Sequence, residues 1–341
     1  MKILLLAEFF LSGQTTHVLD LAEQLKRMGC DVHVRFTRVH SPLFGTEYAP
    51  RLKEQGIAVS TGTGTSFLSY LVRRWRPDVI HAHSSTLFAS ANRLARRLRI
   101  PSILTCHGLG FSHPKYQEDL RGASHVIAIG PKVAQEIRHI CPKLTVIPNG
   151  VNTEYYVPPQ GSFLRNQVVY IARMDRGKIP ALTRLTQIMN STFHRQLMVV
   201  ADWDPKIAGI VYHPWTPDLR PILQQAGIVA ASGRTAREAL ACGSAVLLMQ
   251  RRYDGLVSPA LTGRADFDFS GNLGRFTFSR LRSDLKRLLT SRTALQKLQR
   301  WGRRYAEDNL NSANMAAAIA AVYAGAAPVE ARPKHRSWQG R

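Results

Sequence analysis

The chain has 341 residues, 46 of them Lys or Arg against 23 Asp or Glu, for a formal net charge of +23. That length is too great for one ordinary hydrophobic core and suits two domains, while the charge speaks to anionic partners and not to fold. Its four cysteines (Cys30, Cys106, Cys141, Cys242) have neither disulfide nor metal spacing, no secretory signal is visible, and no apolar run reaches the roughly 18 to 20 residues that span a bilayer. Buried, reduced thiols in a cytosolic protein are the expectation.

The chain opens on Lys2 to Ala7, an apolar run suited to a buried parallel strand. Ser12-Gly13-Gln14-Thr15-Thr16-His17 follows, then a helical pattern with Val18, Leu21, Ala22, Leu25 and Met28 on one face. Gly29 ends it, and Asp31 to Phe36 is the next strand. The segment Phe67 to Arg76 sets Leu68, Leu71, Val72 and Trp75 on one helical face beside three arginines, and Asn92 to Arg99 has the same character. Such helices either pack on a sheet with solvated arginines or lie on an anionic membrane. Pro77 to His83 and Pro101 to Gly108 read as strand ends that deliver His81, His83 and His107 to one edge. His81 and His83, two apart on a strand, share a face. A zinc site would need further ligands, and no His, Cys or Asp cluster has the spacing for one, so no metal is expected. Ala123 to Ile129 and Leu144 to Asn152 complete the first set of strands.

The second set starts with Val168 to Arg173, a strand ending in an arginine, with Lys178 five residues on. Residues 226 to 248 are the most informative stretch. A short apolar strand ends at Ala231, Ser232-Gly233 turns the chain, a helix runs from about Arg234 to Ala241, Gly243 stops it, and Ala245 to Met249 is the next strand. A glycine turn feeding a helix leaves backbone N–H groups and a positive dipole end facing outward, which suits a phosphate. Glu238, one turn in, is within reach of ribose hydroxyls. Strands alternating with helices argue for parallel sheets. Asn309 to Ala324 is the last helical candidate, and the chain from about residue 326 reads as a disordered basic tail. The arginines form no recognised nucleic-acid motif, so nucleic acid is not an expected partner.

Several of these segments, in order, resemble the family-4 glycosyltransferases. Glu238-Ala239-Leu240-Ala241-Cys242-Gly243 is similar to the second half of their donor signature; the earlier glutamate of that signature is Ala230 here. Ser12-Gly13 through His17-Val18 resembles the opening Gly-Gly loop and helix, and Ile147-Pro148-Asn149-Gly150-Val151-Asn152 the interdomain linker. Ala172-Arg173 with Lys178 resembles the family's Gly-Arg-Leu-x-x-x-Lys-Gly. The resemblance implies an α/β, GT-B architecture of two doubly wound Rossmann-like domains facing a central cleft. Its parts would be residues 1–152 on the acceptor side, 153–305 on the donor side, 306–325 crossing back, and a tail at 326–341. It implies a retaining, metal-independent transfer, without a cofactor, from a nucleoside-diphosphate sugar to a glycan or lipid-linked acceptor in cell-surface polysaccharide or glycolipid synthesis. It also implies His107, Arg173 and Lys178 as catalytic, and Gly13, Gly233, Arg234, Thr235 and Glu238 at the donor. Asp202-Trp203-Asp204 and Asp266-Phe267-Asp268 spell the metal triplet of the other large glycosyltransferase fold, and are read as incidental. Location would be cytoplasmic, at the inner face of the membrane if the charge serves membrane contact. A sugar-nucleotide epimerase of the same fold, or a non-catalytic relative binding glycan or membrane, is the alternative.

Overall fold

A computed structural model of the chain describes residues 1–63, 74–161, 165–271 and 273–326. The fold is α/β, in two compact units: Met1–Pro148 with the segment from Met315, and Asn149–Asn314. The first holds a seven-stranded sheet in the order β3-β2-β1-β4-β5-β6-β7. Its strands are β1 (Lys2–Phe9), β2 (Asp31–Val39), β3 (Ala58–Thr61), β4 (Val79–Ala82), β5 (Ser102–Cys106), β6 (His125–Ala128) and β7 (Leu144–Val146), all paired in parallel. The unbroken apolar run of β1 follows from burial on both faces. Ile3, Leu5, Ala7 and Phe9 enter one core with the helix Gly13–Arg27, and Leu4 and Leu6 enter another with the helix Phe88–Leu98.

The second unit holds a six-stranded sheet, β10-β9-β8-β11-β12-β13. These are β8 (Gln167–Ile171), β9 (Leu197–Ala201), β10 (Ile210–Pro214), β11 (Ala226–Ala231), β12 (Ala245–Met249) and β13 (Tyr253–Leu256). Only β13 runs antiparallel to its neighbour. Alternation again serves two cores: Val169, Ile171, Val229 and Ala231 point to one, Val168, Tyr170, Ile228 and Ala230 to the other.

In both sheets the chain starts near the middle, winds outward, then returns to build the other half. The strand order therefore switches between β1 and β4 in the first unit and between β8 and β11 in the second. Helices leave in opposite directions there, so ligands of open parallel sheets settle at the carboxyl ends of those strands.

Gly150, in the Pro-Asn-Gly segment, has a local reason. A Cβ there would stand 2.6 Å from the Ser312 Cα, because the Val151 N–H donates to Leu310 O and Ser312 N–H donates to Val151 O. The helix Ser312–Gly325 then contributes Met315, Ala316, Ile319 and Tyr323 to the core of the first unit.

The two basic amphipathic segments are packed more deeply than a membrane-facing reading requires. Most of 67–76 lies outside the described residues, but Trp75 is buried at 8% exposure and donates its indole N–H to Asp31 at 2.9 Å. It is therefore not available to a lipid surface. In the helix Phe88–Leu98, Phe88, Ala91, Asn92 and Ala95 are buried while Arg93 and Arg97 are exposed, so its apolar face covers the sheet. No helix among the described residues is long and apolar enough to cross a membrane. The tail from 327 lies outside the described residues.

Candidate active site

In the second unit, the carboxyl ends of β8 and β11 carry the residues that the sequence singles out. Arg173 follows β8, is exposed, and its guanidinium makes no ion pair among the described residues. Lys178 closes a 3-10 turn (Arg176–Lys178) that leads into the helix Ile179–Phe193. It is buried, donates to the Arg173 carbonyl at 2.5 Å and pairs with Asp175 at 3.3 Å. Asp175 also faces Arg251 at 3.5 Å. Lys178 thus holds the turn that presents Arg173, while Arg173 points its charge outward. Asp202 is spent on the same corner, accepting from the Met174 N–H at 2.7 Å, and Asp204 pairs with Lys206. Asp266 pairs with Arg264 and Arg275.

After β11 the turn needs Gly233, whose φ of +60° belongs to the left-handed region. The helix Gly233–Ala241 begins there with no side-chain cap. Its first donor is nevertheless engaged, since the Gly233 N–H bonds Phe269 O at 2.6 Å. Thr235 is half-buried in the first turn. Glu238 is 4% exposed and accepts from Arg234 Nε at 2.6 Å, and Arg234 also reaches the Gly150 carbonyl at 3.4 Å. Arg237, which the sequence reading did not single out, lays its guanidinium on the Phe269 ring at 4.4 Å. Burial, and then the Arg234 charge, hold it below its ordinary value, though still cationic near neutrality. Spacing could have found it, because residues three apart on a helix start share a face. The two arginines, the positive helix end and the carboxylate make a place for an anion that also carries hydroxyls.

Ala230 occupies the position of the missing first glutamate. It is fully buried in β11, in register with Tyr170 and Leu247. A carboxylate at this point would sit unpaired in an apolar core, so the position cannot serve a sugar here.

Two other arginines show that much of the positive charge is structural. Arg165 donates to the carbonyls of Cys242 and Gly243, and Arg303 to that of Ala241, which satisfies the open end of the helix Gly233–Ala241.

In the first unit, Ser12 replaces the expected glycine and works as a helix cap, accepting from the Thr15 N–H at 3.4 Å, with Gly13 exposed beside it. His107 follows β5 and does not stand alone. His17 from the first helix, His83 after β4 and His107 meet, with one ligand nitrogen of each within 4.8 Å of the others. His83 Nδ1 and His107 Nε2 are 3.1 Å apart. His81 faces the same way but is fully used: its ring nitrogens bond Tyr323 and Thr105 at 2.6 and 2.7 Å. Nearby, Glu8 at the end of β1 is buried, accepts from Thr86 at 2.6 Å and pairs with Arg38 at 3.3 Å. No sequence spacing announces either group, because their members come from separate βα units.

Burial pushes His81 and His83 well below the usual imidazole value of 6.5, so they are held neutral in the fold. The unfolded chain therefore binds protons that the folded one refuses. Stability is full above about 6.5 and is lost as pH falls from there. Urea midpoints at pH 7.5 and 5.0 should differ accordingly in the wild type. They should differ less in His83→Gln, and an unchanged difference would remove these side chains from the account.

Known proteins share this fold. Residues 11–155 match the model of Glycosyltransferase Family 4. No curated protein matches the chain significantly. Among solved structures, a glycosyltransferase from Rickettsia africae is similar with a TM-score of 0.74 at 16% identity, covering 95% of this chain and 98% of that one. Anabaena HepE, solved with UDP and glucose, has a TM-score of 0.69 at 16% identity, covering 95% and 100%. TarM from S. aureus, solved with fondaparinux, α-GlcNAc-glycerol and UDP, has a TM-score of 0.72 at 9% identity, covering 94% and 99%. The chain has the GT-B fold of these glycosyltransferase structures, and its residues 11–155 resemble Glycosyltransferase Family 4.

Proposed function

We propose that the protein transfers a sugar from a uridine-diphosphate sugar to a glycan or lipid-linked acceptor, with retention of configuration and without a metal at the pyrophosphate. The observation that carries this reading is the group at the second unit's switch point. There a buried carboxylate, Glu238, lies one turn inside an uncapped helix that also bears Arg234 and Arg237, and Arg173 follows the adjacent strand. Uridine diphosphate is the nucleotide in the HepE and TarM structures, which supports it as the first donor to try.

Departure of the diphosphate builds negative charge at the oxygen leaving the sugar. Fixed cations and helix dipoles aimed at that charge stabilise the transition state more than the bound donor. Arg173 is placed for this role, Lys178 holds its turn, and Arg234 and Arg237 add charge. Glu238 would exchange part of its contact with Arg234 for ribose hydroxyls. The first unit would bind the acceptor, with His107 orienting a sugar hydroxyl. An epimerase would need acid and base groups on the sugar, and the burial of Ala230 leaves none at that position.

Purified protein incubated with a panel of nucleoside-diphosphate sugars should slowly release nucleoside diphosphate from one of them by hydrolysis. Interconversion of two sugar nucleotides instead would establish the epimerase, and inertness to every donor would establish a non-catalytic relative. On this reading the products belong to cell-surface polysaccharide or glycolipid synthesis, and the protein would work at the cytoplasmic face of a membrane. The net charge of +23 then predicts sedimentation with anionic liposomes and release by a few hundred millimolar salt. Equal binding to neutral vesicles, or none to either, would remove the membrane contact.

A further inference from the structure

We propose that His17, His83 and His107 form a site for one transition-metal ion of the zinc class in the first unit. Four-coordinate metal–imidazole bonds of about 2.0 Å place neighbouring nitrogens roughly 3.3 Å apart. His83 Nδ1 and His107 Nε2 already stand at 3.1 Å, and one ligand nitrogen from each of the three histidines lies within 4.8 Å of the others. The three side chains come from rigid elements. His17 is in the second turn of the first helix, and His83 and His107 follow the adjacent strands β4 and β5, with the His83 N–H bonded to Leu6 O at 2.9 Å. A site so built changes little on loading.

His81, in the same row, shows by contrast what a purely structural histidine looks like here: both its nitrogens have partners. In His83 and His107, by contrast, Nδ1 of the first bonds Nε2 of the second, and the remaining nitrogens, His83 Nε2 and His107 Nδ1, are buried with no hydrogen-bond partner among the described residues. The cluster is therefore not a closed hydrogen-bond network, and buried polar groups left in that state are rare. Three neutral nitrogens favour zinc, cobalt, nickel or copper over magnesium or calcium, and leave a fourth position for water or a substrate oxygen. An ion held there commits His107 to the metal. Resting on the transferase reading, this makes the ion an inhibitor of transfer, lifted by a chelator.

Titration of the metal-free full chain with cobalt(II) should give saturable visible absorption at one equivalent, displaced by zinc and not by magnesium. His83→Ala and His17→Ala should weaken it by about a hundredfold or more. His139→Ala, at an exposed histidine, should leave it unchanged. Should the buried variants fail to fold, His107→Ala at the half-buried strand end gives the same comparison, with circular dichroism as the folding control. Absence of a saturable band, or a band that survives His107→Ala, overturns the site. The titration needs neither donor nor acceptor, so its failure leaves the transferase reading intact, and lack of activity on any donor leaves the metal site intact.

Discussion

Arg173→Ala will lower turnover by about a hundredfold or more while donor affinity changes far less, because the charge it meets grows only as the diphosphate departs. Its exposed guanidinium, free of any ion pair among the described residues, is available for that role. Arg173→Lys should recover only part of the loss, since one ammonium cannot reproduce a forked contact. Lys178→Ala should also lower turnover, but by another route. Its ammonium bonds the Arg173 carbonyl and Asp175, so its removal loosens the turn and costs stability as well. The double variant should fall well short of the product of the two losses, because both act through one charge. Steady-state kinetics beside urea unfolding separates these effects. A double variant with near wild-type transfer would remove the assigned site.

Glu238→Gln should weaken the binding of free uridine diphosphate by roughly 1.5 to 3 kcal/mol, the worth of hydrogen bonds to a charged acceptor. The carboxylate is buried beside Arg234, so the amide also leaves two arginines without their counter-charge. That favours the diphosphate and trims the loss, so an effect near the lower end is expected. Circular dichroism and urea unfolding of the variant control for local disturbance. Calorimetry with the nucleotide alone reads the effect without any sugar. Unchanged affinity in a folded Glu238→Gln protein would reduce the Arg234–Glu238 contact to a helix staple.

Periodicity in the sequence was enough for the strands Asp31–Val39, Ala226–Ala231 and Ala245–Met249, and for the helix between the last two, because glycines mark the ends of these elements. Gly243, read as a stop, has the positive φ of one. What periodicity could not supply was anything assembled across units of the sheet. The meeting of His17, His83 and His107 depends on β1, β4 and β5 being neighbours, an order that no local pattern states. The same holds for Glu8 and its partners. Ala230 looked like a lost ligand, and only the register with Tyr170 and Leu247 reveals an interior wall of the sheet. For Trp75 the sequence left both sheet packing and membrane contact open, because its partner, Asp31, is distant in the chain.

The side chains of Met315, Ala316, Ile319 and Tyr323 complete a core whose other members lie before residue 148. During synthesis the ribosome therefore delivers the last piece of that core only after all of residues 149–314 have emerged. Asn149–Asn314 is an uninterrupted stretch and can reach its native state first, whereas the earlier segment must wait with an apolar seam uncovered. A fragment ending at residue 311 should accordingly be an aggregation-prone protein with a sound second half. A circular permutant that fuses the final helix ahead of Met1 should fold its halves in the order in which they are made.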